Sequence, residues 1–209
     1  MNYLFGFPVG IYKINYNDYD KQKIVSDIIH NYKIDTNRNK WDSDSNLHHE
    51  NGDTDNDKFR KINYSSLLPL YDEKVKEYLS NFKFTEDYRY RFNIVNYTCT
   101  SKGQFMKKHI HPGQFSAAHH IKFNKEEHKG TTFHNRHPYI DYMELFKKDK
   151  KFNSIKDLSD IAQSWTMKDW TFDVEEDDIC FSPSALMHSV SQVKSDDLRI
   201  TIIINIDIY

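Results

Sequence analysis

After residue 88 apolar and polar side chains alternate with a period of two, the signature of β-strands. In RYRFNIVNYTCT (89–100) this places Phe92, Ile94 and Asn96 on one face and Asn93, Val95 and Tyr97 on the other. QFMKKHIH, FSAAHHIKFN, TTFHN, SWTMKDWTFDV, DDICFSP, LMHSVSQV and LRITIIINIDIY follow as further strand segments. Short strands set apart by turn residues predict an all-β barrel or sandwich. A polar, partly helical stretch over 138–165 interrupts them. Ahead of the β region the pattern is different. Residues 3–14 read as a strand that Pro8 confines to an edge or a bend. Residues 18–32 read as a helix, with Asp18 as N-cap candidate and Ile24, Val25, Ile28 and Ile29 at helical spacing. A second helix is predicted over 65–82, its apolar face marked by Leu68, Tyr71, Val75, Tyr78, Leu79 and Phe82. Between the helices, residues 35–58 are polar and read as one long loop. The expected organisation is a single domain over 1–209, with a helical N-terminal elaboration (1–88) leading into a β core (89–209).

Composition changes this picture little. The apolar share is low, 38%, yet 14 Tyr, 14 Phe and 3 Trp provide bulky core material, so the chain reads as folded. A formal charge of −2 builds no broad basic face, which disfavours nucleic acid as a partner. Two cysteines, Cys99 and Cys180, are no disulfide framework and fit a reducing compartment. The N-terminus lacks a basic start followed by a long apolar run, and no segment is apolar enough to span a bilayer. A cytoplasmic protein is expected.

The chemistry concentrates in two places. His109 and His111 stand two apart, so on a strand both imidazoles share one face and can converge on one ion. His188 opens a distant strand and can supply a third ligand, leaving metal positions open as catalysis requires. An isolated His-x-His is a weak signal, equally compatible with structural histidines. Eleven residues after His188, Arg199 and Thr201 interrupt a strand that is otherwise almost wholly apolar. A buried Arg needs an anion, and its planar fork suits a carboxylate. The bland alternative is an ion pair with Asp196 or Asp197. His134 and His137 read as residues of a polar loop, and His48 and His49 as solvated or part of a lid. His119 and His120 point to opposite faces, so only one of them can enter a barrel. No phosphate loop, zinc CxxC pattern or serine-nucleophile elbow is present, and Ser184 reads as a turn residue.

Taken in order, FPVGIY, Gly103 six residues before His109, HIHPG, SAAHHIKF, ICFSPSALMHSV and RIT resemble the 2-oxoglutarate/Fe(II)-dependent oxygenases, in particular a group found in phages and bacteria. The likeness covers about residues 90–209. It implies a mainly β fold, a double-stranded β-helix of the jelly-roll or cupin kind with N-terminal helices. It also implies Fe(II) held by His109, His111 and His188, and 2-oxoglutarate as cosubstrate, its distal carboxylate on Arg199 with Thr201 beside it. Tyr97 is the candidate for a further cosubstrate contact, with a core aromatic as the alternative. Two departures stand out: the acid of the usual His-x-Asp/Glu is His111 here, and the aromatic pair of the family's Ser-led strand is His119–His120. Alkylation-repair dioxygenases carry a second Arg six residues after the first. Asn205 occupies that position here, which speaks against nucleobase repair.

Three functions remain open at this point. The first is a 2-oxoglutarate-dependent hydroxylase acting with O₂ on a small molecule or a peptide, in the cytoplasm of a bacterial or phage-infected cell. The second is a three-His cupin-type dioxygenase that does not use 2-oxoglutarate, against which Arg199 and Thr201 argue. The third is a non-catalytic jelly-roll protein with a binding or virion-associated role. The oligomeric state is left open.

Overall fold

The computed structural model describes residues 2–34, 46–49, 58–84, 87–137 and 168–209, with backbone only for 2, 3 and 46–49. The 138–165 stretch and most of the 35–58 segment lie outside the described residues. Among the described residues, eleven strands and two helices run in the order β1 (Asn2–Leu4), β2 (Phe7–Lys13), α1 (Lys21–Ile34), β3 (Asn46–His49), α2 (Leu68–Leu79), β4 (Tyr90–Thr100), β5 (Met106–His109), β6 (Phe115–Lys122), β7 (Thr132–His134), β8 (Asp169–Thr171), β9 (Asp178–Pro183), β10 (His188–Val190) and β11 (Arg199–Ile208). Each of the eight segments expected to hold a strand after residue 88 does hold one.

The strands form two antiparallel sheets. The larger has the order β1-β2-β9-β6-β11-β4-β3 and the smaller β5-β10-β7-β8. From β4 onward the chain crosses repeatedly between them, β4, β6, β9 and β11 lying in the large sheet and β5, β7, β8 and β10 in the small one. Such alternation makes a double-stranded β-helix, with an interior between the sheets and an outer face on each.

The outer face of the large sheet carries the main core. Ile200, Ile202, Ile204 and Ile206 of β11 are fully buried there against Ile24 and Ile28 of α1 and Tyr71, Val75, Tyr78 and Leu79 of α2. The other face of β11 presents Arg199, Thr201 and Ile203 to the interior. The period-two pattern of LRITIIINIDIY therefore separates helix packing from chemistry. α2 starts three residues later than its pattern predicts, at Leu68 with Pro69 in its first turn, where a missing N–H costs nothing. Leu68 is exposed and Leu67 takes its place in the core. α1 likewise starts at Lys21, not Asp18. Asp18 lies in a 3₁₀ turn (Tyr16–Asp18) capped by Asn15, whose side chain accepts from the Asn17 N–H.

Two strands depart from expectation. Asn46–His49, inside the segment read as loop, forms an edge strand with Leu47 opposite Thr98 and His48 opposite Tyr97. An edge strand is held by backbone bonds, so polar residues can build it without an apolar signature. In β4 the register against β11 slips: Ile203 faces Asn96 but Ile204 faces Ile94, leaving Val95 as a bulge. One extra residue reverses the parity of all that follows. Tyr97 and Cys99 consequently join Ile94 on the helix side, while Asn96, Thr98 and Thr100 turn inward.

Candidate active site

His109 ends β5 and faces His188 of β10 as its direct cross-strand partner. His111, two residues on, is anchored by its backbone N–H to the Ser184 carbonyl at 3.0 Å. One nitrogen from each ring can be chosen so that all three lie within 4.8 Å of one another. His111 Nε2 and His188 Nε2 are 3.0 Å apart. Backbone carbonyls set the tautomers. His109 Nδ1 donates to the Lys107 carbonyl at 2.7 Å and His188 Nδ1 to the Leu186 carbonyl at 2.9 Å. A carbonyl only accepts, so in each ring the proton sits on Nδ1 and the lone pair on Nε2, the form in which an imidazole binds a metal. Burial lowers the pKa of all three. His109 shifts down, His111 falls to about 4 and His188 to about 3, the latter two also through neighbouring imidazoles. At neutral pH the trio is uncharged and able to donate lone pairs.

The same cavity contains a second polar group. It is lined by the three histidines, by Arg199 and Thr201 of β11, and by Asn96 and Thr98 of β4, with Met106, Phe133, Val190 and Ile203 as apolar walls. Arg199 is 1% exposed and its Nε has no hydrogen-bond partner among the described residues. Burial lowers its pKa to about 10, which still leaves it charged. The expected alternative partners are engaged elsewhere, Asp196 with Lys102 and Asp197 with Lys122. Thr201 Oγ1 and both amide atoms of Asn96 are likewise buried without hydrogen-bond partners among the described residues. Buried polar atoms are normally satisfied, so this cluster of orphans fits an anionic ligand that brings acceptors with it.

A family model described as "Putative 2OG-Fe(II) oxygenase" matches residues 96–205, more than half of the chain. The chain belongs to this family. Fe(II) and 2-oxoglutarate are the cofactors of the oxygenase, and the residues present fit both: three imidazoles lie close enough together to hold a metal, and a buried guanidinium beside a buried hydroxyl, neither with a carboxylate partner among the described residues, is chemistry suited to a carboxylate. Solved structures agree on the fold. A Pseudomonas putida prolyl-4-hydroxylase aligns over 95% of this chain and 91% of its own, with TM-score 0.51 and 8% identity. A viral collagen prolyl hydroxylase from Paramecium Bursaria Chlorella virus-1, solved with 2OG, aligns over 94% of both chains, with TM-score 0.50 and 14% identity. A Trichoplax adhaerens prolyl hydroxylase, solved with a peptide fragment of hypoxia inducible factor, covers 94% of this chain and 81% of its own, with TM-score 0.52 and 11% identity. No curated protein matches the sequence.

Tyr97 is a correction. The bulge turns it away from the oxygenase cavity, and its hydroxyl accepts from Asn31 Nδ2 at 3.0 Å within the helix-side core. Asn96 and Thr98 are the β4 residues that line the cavity. Their signal was present as polar residues at alternate positions, Asn96, Thr98 and Thr100, in register with Ile203, Thr201 and Arg199. Of the adjacent histidines, His120 enters the barrel beside Arg199. His119 faces the helices, where its Nδ1 meets the Tyr71 hydroxyl at 2.8 Å. His134 is buried in β7 rather than in a loop. It contacts Asp169 of β8 through Nδ1 and Ser189 Oγ of β10 through Nε2 at 2.7 Å. These three side chains have the order of a hydrolytic triad. Ser189 sits mid-strand with β5 and β7 on either side, where the neighbouring N–H groups serve the ladder rather than an oxyanion. Their role is to tie β8, β7 and β10 together. Cys99 and Cys180 are free, and burial raises both thiol pKa values, Cys180 to about 12, so neither is a nucleophile.

Proposed function

We propose that His109, His111 and His188 bind the Fe(II) of this oxygenase, that Arg199 and Thr201 receive the distal carboxylate of 2-oxoglutarate, and that the enzyme hydroxylates a small molecule or a peptide side chain. The observation that carries the reading is Arg199, a buried cation without a carboxylate partner among the described residues, in one cavity with three converging imidazoles. Bound together, Fe(II) and 2-oxoglutarate would supply the activation of O₂, with one oxygen atom going to the substrate and the other to succinate as 2-oxoglutarate loses CO₂. The chain's own part is positional and electrostatic. Lys107 and Leu186 carbonyls orient the rings of His109 and His188, Arg199 anchors the far end of the keto acid, and Met106, Phe133, Val190 and Ile203 keep the space between dry.

His111 occupies the place of the usual carboxylate ligand. Three neutral imidazoles leave the metal at +2, which the dianion of 2-oxoglutarate balances, whereas a carboxylate ligand would leave +1. The uncompensated Arg199 favours this reading over a three-His dioxygenase that does without 2-oxoglutarate. Buried free thiols and the near-neutral charge support a cytoplasmic enzyme whose substrate is not nucleic acid, and among the described residues no helix is long and apolar enough to cross a membrane. The test is turnover of 2-oxoglutarate with Fe(II) and O₂. Succinate should form in wild type and not in His188→Ala. No succinate together with no 2-oxoglutarate binding would overturn the proposal.

A further inference from the structure

Among the described residues, the side-chain acceptor nearest the Arg199 guanidinium is His120. It comes from β6, which lies beside β11, and it is fully buried. Arg199 Nη2 lies 3.5 Å from His120 Nδ1, at the outer edge of hydrogen-bonding distance. The guanidinium carbon lies 5.9 Å from the centroid of Phe123, whose ring is in turn 5.1 Å from that of His120. A guanidinium has donors only, so Nδ1 presents its lone pair and the ring proton belongs on Nε2. Burial, and then the charge of Arg199, hold His120 well below its ordinary pKa, so the ring stays neutral.

The residue type matters. An Asp or Glu at this position would orient Arg199 equally well but would cancel its charge. An aliphatic residue would preserve the charge but leave Nη2 without an acceptor and free to turn. A neutral imidazole orients the fork and leaves the whole positive charge for a ligand. Among the described residues His120 Nε2 has no hydrogen-bond partner, so the hydrogen-bonding contact that the ring makes there is the one to Arg199.

We infer that His120 is a positioning residue for the cosubstrate: a neutral acceptor that fixes the Arg199 guanidinium without compensating it, and so makes the site select dicarboxylic over monocarboxylic keto acids. This rests on the assignment of Arg199 to 2-oxoglutarate. Binding of 2-oxoglutarate and of 2-oxobutyrate is to be measured by calorimetry on protein loaded with Zn(II), which undergoes no redox chemistry. The proteins are wild type, His120→Leu, His120→Asn and Arg199→Met. A hydrogen bond to a charged group is lost in His120→Leu, so its 2-oxoglutarate Kd should rise about ten-fold or more while that for 2-oxobutyrate barely moves. His120→Asn, whose amide oxygen replaces the Nδ1 acceptor, should recover most of the loss. In steady state the His120→Leu defect should appear in the KM for 2-oxoglutarate and not in kcat. Nitrogen chemical shifts of wild-type His120 provide a measurement that needs no variant and should report the Nε2–H tautomer. A protonated Nδ1, or a His120→Leu Kd within two-fold of wild type while Arg199→Met loses binding, overturns the role of His120 and leaves that of Arg199 standing. If wild type binds no 2-oxoglutarate, both fall.

Discussion

Replacing Arg199 by Met should have two effects of opposite sign. The guanidinium is 1% exposed, finds no carboxylate among the described residues, and keeps its Nε unpaired. In the ligand-free protein it is a buried charge with little compensation, and exchanging such groups for apolar ones of similar volume is commonly neutral or stabilising by about 1–4 kcal/mol. For a domain of this size each kcal/mol is about 2–4 °C in Tm, so ligand-free Arg199→Met should melt at or above wild type. With cosubstrate the balance reverses. Truncating one partner of a buried charge pair costs about 2–5 kcal/mol, or about 30- to 4,000-fold in Kd. Scanning calorimetry without ligand and titration calorimetry with 2-oxoglutarate measure the two effects on the same samples. A variant that melts several degrees lower would show that the guanidinium serves the fold, and an unchanged Kd would show that it does not hold the keto acid. Either result refutes the reasoning.

Other expectations follow from the same contacts. Ile202→Ala, in the β11 face covered by α1 and α2, should cost about 2–5 kcal/mol in chemical denaturation and leave metal binding intact. His134→Leu severs the link among β8, β7 and β10 and should cost about 1–3 kcal/mol in the same assay. Burial opposes the charge of Asp177, but bonds from His119, Lys21 and Tyr19 outweigh it and lower the carboxyl's pKa. A lowered folded-state pKa gives stability that is full above the unfolded value, near pH 4, and is lost as pH falls through the folded value. Unfolding titrations from pH 6 to 2 should therefore show a loss in wild type that is smaller in Asp177→Asn.

The parts of the site visible in the sequence are those that depend on local spacing. His109 and His111 share a strand face because strand side chains repeat every two residues. Arg199 and Thr201 stand out because the alternate positions of β11 are isoleucines pressed on the helices. What spacing could not reveal was a change of register. The bulge at Val95 exchanges the faces of Tyr97 and Asn96, and a bulge leaves no mark in a run where both parities hold plausible core residues. The edge strand Asn46–His49 was hidden for another reason, since backbone pairing to β4 requires no apolar pattern. His120 was recognisable as one of two histidines on opposite faces, but the choice between them depended on which face the helices cover.

Anaerobic titration with Fe(II) of wild type and of the single variants His109→Ala, His111→Ala and His188→Ala tests the central claim most directly. Wild type should bind one Fe(II) per chain, each alanine variant should bind it far more weakly, and His111→Asp, which introduces the carboxylate of the wider superfamily's His-x-Asp/Glu pattern, should retain it. Iron binding by His111→Ala as tight as that of wild type, or none by wild type, would contradict the three-histidine site.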